Sequence, residues 1–333
     1  AGLTALLSMR CSVNSLHLGR WPVLAALMVV ISLLLGAYPL QAAPITPSIQ
    51  AHVRPVTLNP AQAGQVAISG GYPLEVLVSM DGTPLDVFWS GTGYFALFSF
   101  GFDALPGPRT LDIRVRNPRT GEVLARQETI TLAEFEYPLE QLALPYRLIP
   151  LLDRELNEQE NEHLAQIYTG RSTPFSWDWP FSIPVPGGIV TSRFGGNRLY
   201  NGGLWAQYHT GMDFRRAVGE PIYATASGRV AAAEPLSIRG NIIILDHGHG
   251  VFSQYAHLSE ALVQPGEHVR RGQIIGLAGA TGRTNGPHLH FEIIVGGVPV
   301  DPIRWFALDP SFVPPREVIA VSGAGEAGAA PAP

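Results

Sequence analysis

The stretch that most constrains the fold lies near the end of the chain. Gly286-Pro287 breaks the backbone there, and His288-Leu289-His290-Phe291-Glu292-Ile293 follows. Polar and apolar residues alternate, which is the period of a strand with one covered face. Leu289, Phe291 and Ile293 are expected to face a core, and His288, His290 and Glu292 a cleft. Two imidazoles on one rigid strand face suit a metal site or an acid–base pair. The rest of the chain agrees with a strand-based fold: 36 glycines, 29 prolines and only 15% charged residues favour strands and turns over long helices.

The start of the chain is different in kind. No Asp, Glu, Lys or Arg occurs between Arg20 and Arg54, and Val23 to Ala37 is strongly apolar. Arg10 and Arg20 precede that stretch, and Leu40-Gln41-Ala42-Ala43 follows it with small residues. This is the layout of a secretory signal. Residues 1–43 are read as a signal peptide or a membrane anchor. The apolar stretch falls short of the ~20 residues a comfortable span needs, which favours cleavage. On either reading the remainder is expected outside the cytoplasm, secreted or in the cell envelope. The one cysteine, Cys11, lies upstream of the apolar stretch, so a chain without its leader has no disulfide or thiolate chemistry. The net charge of −5, with no basic block, argues against a nucleic-acid partner.

The chain reads as mostly β, in several parts. Residues 44–135 are expected to form a β-sandwich, perhaps immunoglobulin-like, because short alternating runs recur between turn signals. Leu111, Ile113 and Val115 alternate with Asp112, Arg114 and Arg116, and Asp81-Gly82 and Asn117 to Gly121 mark turns. Residues 136–180 read as a connector with one polar helix over Leu151 to Tyr168, ended by Thr169-Gly170. Residues 181–308 are again β-rich, with a buried strand from Gly240, a partner over Val251 to His257, and a further strand at Ile274 and Ile275. The Gly/Ala/Pro-rich tail, 309–333, is expected to be disordered.

The chain has ten histidines. His17 lies in the leader; His52, in a loop, His163, on the polar helix, and His268, in a charged turn, are expected to be solvated. His247 and His249 flank Gly248 and are assigned to a turn. Four remain: His209, which shares His209-Thr210-Gly211-Met212-Asp213 with a carboxylate, His257 at a strand end, His288 and His290. Two histidines and an aspartate with an open fourth position suit a catalytic zinc, which leaves two histidines to handle protons or a developing oxyanion.

Phe181 to Phe306 resembles the LytM/lysostaphin-type zinc metallopeptidases. The matching pieces include Thr191 to Gly195, His209 to Asp213, Gly219 to Ala224, Gly240 to Gly250, Tyr255 to Leu258, Val269 to Gly276, Gly279 to His290 and Val300 to Pro302, in family order. The resemblance implies a compact antiparallel β metallopeptidase domain, zinc ligands His209, Asp213 and His290, and catalytic histidines His257 and His288. It implies hydrolysis of peptide bonds in peptidoglycan stems or cross-bridges. Asn285 departs from the threonine commoner before Gly-Pro-His, in a loop rather than at a ligand. Between Gly195 and His209, Arg198, Tyr200 and Trp205 are candidate substrate contacts, set against packing for the aromatics and solvation for the arginine.

Three other functions bear on the same sequence. A catalytically silent regulator of other wall hydrolases is the main alternative, although all five key positions are present. A biotinyl- or lipoyl-carrier module is excluded, because such carriers need a lysine and the chain contains none. An adhesin built on the sandwich is the third.

Overall fold

The computed structural model describes residues 48–170 and 181–308. The expected leader (1–43), the aromatic run 175–180 and the expected disordered tail (309–333) lie outside the described residues. Among the described residues, no helix is long and apolar enough to cross a membrane.

The chain is mostly β, as its alternating runs predict. Two sheets face each other in the N-terminal part. One runs in the order Gln50–Arg54, Ala63–Ser69, Tyr94–Ser99, Val87–Trp89, all antiparallel. The other runs Thr57–Leu58, Val123–Leu132, Gly107–Arg116, Glu75–Met80, Thr83–Pro84, with only its first pairing parallel. Val66, Ile68, Ala96 and Phe98 from the first meet Val78, Leu111, Ile113 and Ile130 from the second in one core. His52 lies on a strand rather than in a loop, because Ile49 and Ala51 already set the inward alternation. Its side chain is exposed.

The C-terminal part is built on one large antiparallel sheet. Its order is Ile189–Ser192, Met212–Arg215, His288–Val295, Val251–Leu258, Gly240–Asp246, Gly228–Leu236, His268–Val269, with Val298–Val300 beside His288–Val295. One face carries Leu289, Phe291, Ile293, Tyr255, Ile243 and Leu245 into the main core, with Trp305 and Phe306 from the closing Pro302–Phe306 helix. The alternation of 288–293 therefore reads as expected on its apolar side. The opposite face carries Ile242, Ile244, Phe252, Ala256 and Ile294, which Leu164 covers from the connector helix.

The connector does more than bridge. Leu139–Leu142 pairs in parallel with Asn197–Tyr200, which pairs in turn with Trp205–Tyr208. A 3-10 turn over Tyr146–Leu152 follows, and the α-helix then runs Arg154–Tyr168. The helix starts three residues later than expected from the sequence. Asp153 sets that start: its side chain accepts a hydrogen bond from Leu156 N at 2.8 Å, satisfying one of the free amides of the first turn. Direct bonds also tie the sandwich to the sheet, with Ser99 Oγ donating to Val295 O at 2.8 Å and Phe88 stacked on His249 at 3.9 Å.

Candidate active site

Three strand ends and one turn bring the predicted residues together. Asp213 and His290 sit opposite each other on paired strands, as do Ala256 and His290, which places His257 one residue further along. His209 precedes the Met212–Arg215 strand, in a turn clamped by Gly195 N to His209 O and His209 N to Gly196 O, each 2.8 Å. Gly211 makes this turn possible. A Cβ there would lie 2.5 Å from Phe291 O, 2.7 Å from His290 Cε1 and 2.8 Å from Glu292 Cγ.

His209, Asp213 and His290 form a buried cluster whose ligand atoms lie within 4.8 Å of one another. Asp213 Oδ1 is 3.0 Å from His209 Nε2 and 2.9 Å from His290 Nδ1, and the two ring nitrogens are 3.1 Å apart. The outer atoms of both rings fix their tautomers. His209 Nδ1 lies 2.6 Å from Arg193 O, a carbonyl that can only accept, so that nitrogen carries the proton. His290 Nε2 lies 2.8 Å from a Glu292 carboxylate oxygen and donates to it. Neutral rings then point two lone pairs and one carboxylate oxygen at the same point, an arrangement that needs a cation. Donors ~2.0–2.1 Å from a tetrahedral ion stand about 3.3 Å apart, close to the observed separations. The donor set fits zinc, and each ring has the outer acceptor that metal-bound imidazoles use.

Electrostatics agree with a cation site. Burial raises the Asp213 carboxyl, but His209 and Arg198 more than reverse this and hold it well below the usual carboxylate range. Burial pulls His209 down, which favours its neutral form. Burial also pulls on His290, yet its hydrogen bonds to Asp213 and Glu292 win and raise it. Glu292, 2% exposed, is itself lowered: burial opposes its charge, and the bonds from His290 and from Thr210 Oγ1 at 2.8 Å favour it.

The other two histidines flank this cluster. Their rings are 4.9 Å apart, and His257 lies 5.9 Å from the His290 ring. His257 Nδ1 donates to Thr281 O at 2.8 Å, and His288 Nδ1 donates to Gly286 O at 2.9 Å. In each ring Nε2 is left outside these bonds, and that of His288 lies 3.7 Å from Asp213 Oδ1. Burial, then the nearby His288 and His290, lower His257 well below the imidazole norm. Its φ of +61° is a conformation that non-glycine residues seldom adopt outside functional or tightly determined sites.

The remaining histidines are structural or peripheral. His247 spans Ser227 O and Ser253 Oγ, each 2.8 Å, and burial lowers it to about 4. His163 is not simply solvated, since it bonds Glu234 at 2.7 Å. Among the three proposed substrate contacts, Tyr200 is 4% exposed in a small core, Trp205 packs against that core, and Arg198 is held by Asp213 at 2.9 Å, Ser192 at 2.8 Å and Glu140 at 3.2 Å. The solvated reading of Arg198 fails because the Leu139–Leu142 strand supplies an acidic partner from 58 residues away. Glu292 shares its strand face with His290 in the sequence, two residues away, and its bond to that ring is local.

The sequence pattern of peptidase family M23 matches residues 207–302. The chain carries an M23 peptidase domain. That domain is similar to the peptidoglycan DD-endopeptidase ShyA of Vibrio cholerae, with 39% identity over 129 residues, or 39% of this chain and 30% of that protein. It is also similar to ShyB of the same organism (44% over 96 residues, 29% and 22% of the two chains). The DD-carboxypeptidase/endopeptidase Mpg of Neisseria gonorrhoeae is 42% identical over 95 residues, 28% and 22% of the two chains. The matched part is thus less than a third of each of these relatives. A crystal structure assigned to peptidase M23 in Pseudomonas aeruginosa superposes with a TM-score of 0.55 and 25% identity, over 74% of this chain and 94% of that one. The M23 match begins at Gln207, so Arg198, Asn157 and the other groove residues from the connector side lie outside it.

Proposed function

We propose that this chain is a zinc metalloendopeptidase acting outside the cytoplasm, hydrolysing peptide bonds in peptidoglycan stems or cross-bridges during cell-wall remodelling. The observation that carries the reading is the convergence of His209, Asp213 and His290, whose ligand atoms lie within 4.8 Å of one another, beside the two further imidazoles of His257 and His288. The printed activities of the Vibrio and Neisseria relatives support the substrate class.

His209 Nε2, Asp213 Oδ1 and His290 Nδ1 would hold the zinc, and Arg198 and Glu292 would fix the outer atoms of two of these ligands. Zinc in such a site supplies a Lewis acid that polarises the scissile carbonyl and acidifies a water. His288, whose Nε2 lies beside the cluster, would take a proton from the attacking water. His257 is neutral and also presents a lone pair, so it donates to a developing oxyanion or to the leaving amine only after it has gained a proton. Which of the two histidines moves first depends on the substrate pose.

The division into sandwich (44–135), connector (136–180) and peptidase (181–308) belongs to this proposal, supported by two largely separate cores. The sandwich is proposed as immunoglobulin-like on its strand order: in chain order, the first, third, seventh and sixth strands form one sheet, and the ninth, eighth and fourth sit together on the other.

Digestion of purified peptidoglycans, read by mass spectrometry, compares the wild type with His290→Ala. Product release is expected from the wild type alone, and equal release by both sinks the peptidase reading. Stoichiometric zinc without hydrolysis of any wall preparation would instead favour the silent regulator.

A further inference from the structure

Three arginines line the groove beside His257 and His290, and two of them are neutralised. Arg198 pairs with Asp213 and Glu140, at 2.9 and 3.2 Å. Arg239 pairs with Glu160 at 3.0 Å and donates to Asn161 at 3.1 Å. Arg283 is different. Its Nη1 donates to Leu151 O and Asn157 Oδ1, both at 3.0 Å and both uncharged, and its guanidinium lies 5.0 Å from the centre of the Tyr200 ring. No carboxylate pairs with it among the described residues.

A guanidinium stays charged at any working pH, and keeping that charge half-buried without a counter-ion is costly. Burial lowers its proton affinity; Tyr200 and Glu160 oppose this, and Arg239 and Arg198 add to it. The geometry holds the group firmly. Arg283 N bonds Ile238 O at 2.7 Å, and Gly282 before it, at φ +75°, leaves no room for a Cβ against Gly240 N. With Nη1 occupied, Nε and Nη2 make no bond to a described residue, so one edge of the fork is free for a planar anion.

We propose that Arg283 is the receptor for a carboxylate of the peptide substrate, setting which stems the groove accepts. This rests on the peptidase reading above. A peptide offers such a group at its chain terminus or on an acidic side chain, and Arg283 would bind either by the same paired hydrogen bonds.

The test uses the zinc-loaded full chain and two pairs of synthetic cross-linked stem peptides. In one pair the terminal carboxylate is free or a carboxamide; in the other a side-chain carboxylate is varied in the same way. The wild type is expected to prefer the acid over the amide in one pair by roughly tenfold in kcat/KM, carried by KM. The responding pair identifies the source. Arg283→Gln is expected to erase that preference, and Arg283→Lys to keep part of it, with zinc content reporting that each variant is folded. Equal rates for acid and amide in both pairs, or a preference that survives in Arg283→Gln, overturn the proposal. If the wild type cleaves none of the peptides, the peptidase reading fails separately. Calorimetry on His288→Ala then decides the subsite: acid-selective binding lost on adding Arg283→Gln supports it, and equal binding overturns it.

Discussion

Replacing Glu292 tests whether the cation site is built by outer partners as well as by ligands. Glu292 is buried, accepts from His290 Nε2 at 2.8 Å, and is held by Thr210 Oγ1 at 2.8 Å. Its removal in Glu292→Ala leaves a buried imidazole N–H without an acceptor, a penalty of about 1–3 kcal/mol. The ring can escape that penalty by moving its proton to Nδ1, but that atom is the one aimed at Asp213 and His209, so the escape blocks the metal. Loss of such an outer partner costs about 10–100-fold in metal affinity, or ~1.4–2.7 kcal/mol. Glu292→Gln keeps an acceptor and loses the charge, so it should fall near the low end, about tenfold. The assay is zinc titration against a chromophoric chelator at constant pH, with melting of the metal-free proteins as a folding check. The expected order of affinity is wild type, then Gln, then Ala. Wild-type affinity in both variants would refute the assignment of His290 Nδ1 as the metal-facing atom.

Gly211→Ala should lose zinc binding and cost about 1–3 kcal/mol, because its Cβ meets the Phe291 carbonyl and the His290 ring at under 3 Å; normal zinc uptake and melting would contradict this. His247 should make the fold acid-sensitive. Its pKa falls from 6.5 to about 4 on folding, so the unfolded chain binds the extra proton first, and stability is full above pH ~6.5 and lost as pH falls toward 4. The shift is worth roughly 3 kcal/mol, so urea melts of His247→Gln should show a flatter stability profile between pH 6.5 and 4 than the wild type, and parallel profiles would refute it. Asp153→Ala should cost about 1 kcal/mol by removing the helix cap, read as a lower urea midpoint at unchanged slope.

What the sequence made legible was local. The alternation at 288–293 correctly places Leu289, Phe291 and Ile293 in the core, and the four histidines set apart by their neighbours are the ones that cluster together. Period and spacing act over a few residues, so they survive folding. What was not legible depends on contacts of long sequence separation. Nothing near Arg198 announces Glu140 or Asp213, and nothing near Tyr200 announces burial under Leu144, Leu148 and Leu152. The late start of the connector helix is an intermediate case: Asp153 is a capping residue by type, but Leu151 and Leu152 continue the apolar pattern upstream and mask the boundary.

These long-range contacts bear on what the N-terminal half is for. A plain spacer would leave the groove complete without it, and the geometry says otherwise. The strand Leu139–Leu142 orders Asn197–Tyr200 and supplies Glu140 to Arg198, which in turn holds the outer oxygen of Asp213. The helix supplies Glu160 to Arg239 and Asn157 to Arg283. The sandwich supplies Phe102, stacked on Tyr208 at 4.4 Å, and Tyr208 is the residue directly before His209 of the buried cluster. Each contact anchors a side chain at or next to the cluster, and each comes from a part of the chain that the M23 pattern does not cover. Stripped to residues 181–308, the cluster would keep its five histidine and aspartate groups, but Arg198 would lose Glu140, Arg239 would lose Glu160 and Asn161, and Arg283 would lose Leu151 and Asn157. The N-terminal half thus contributes two carboxylates, Glu140 and Glu160, to the arginines of the groove.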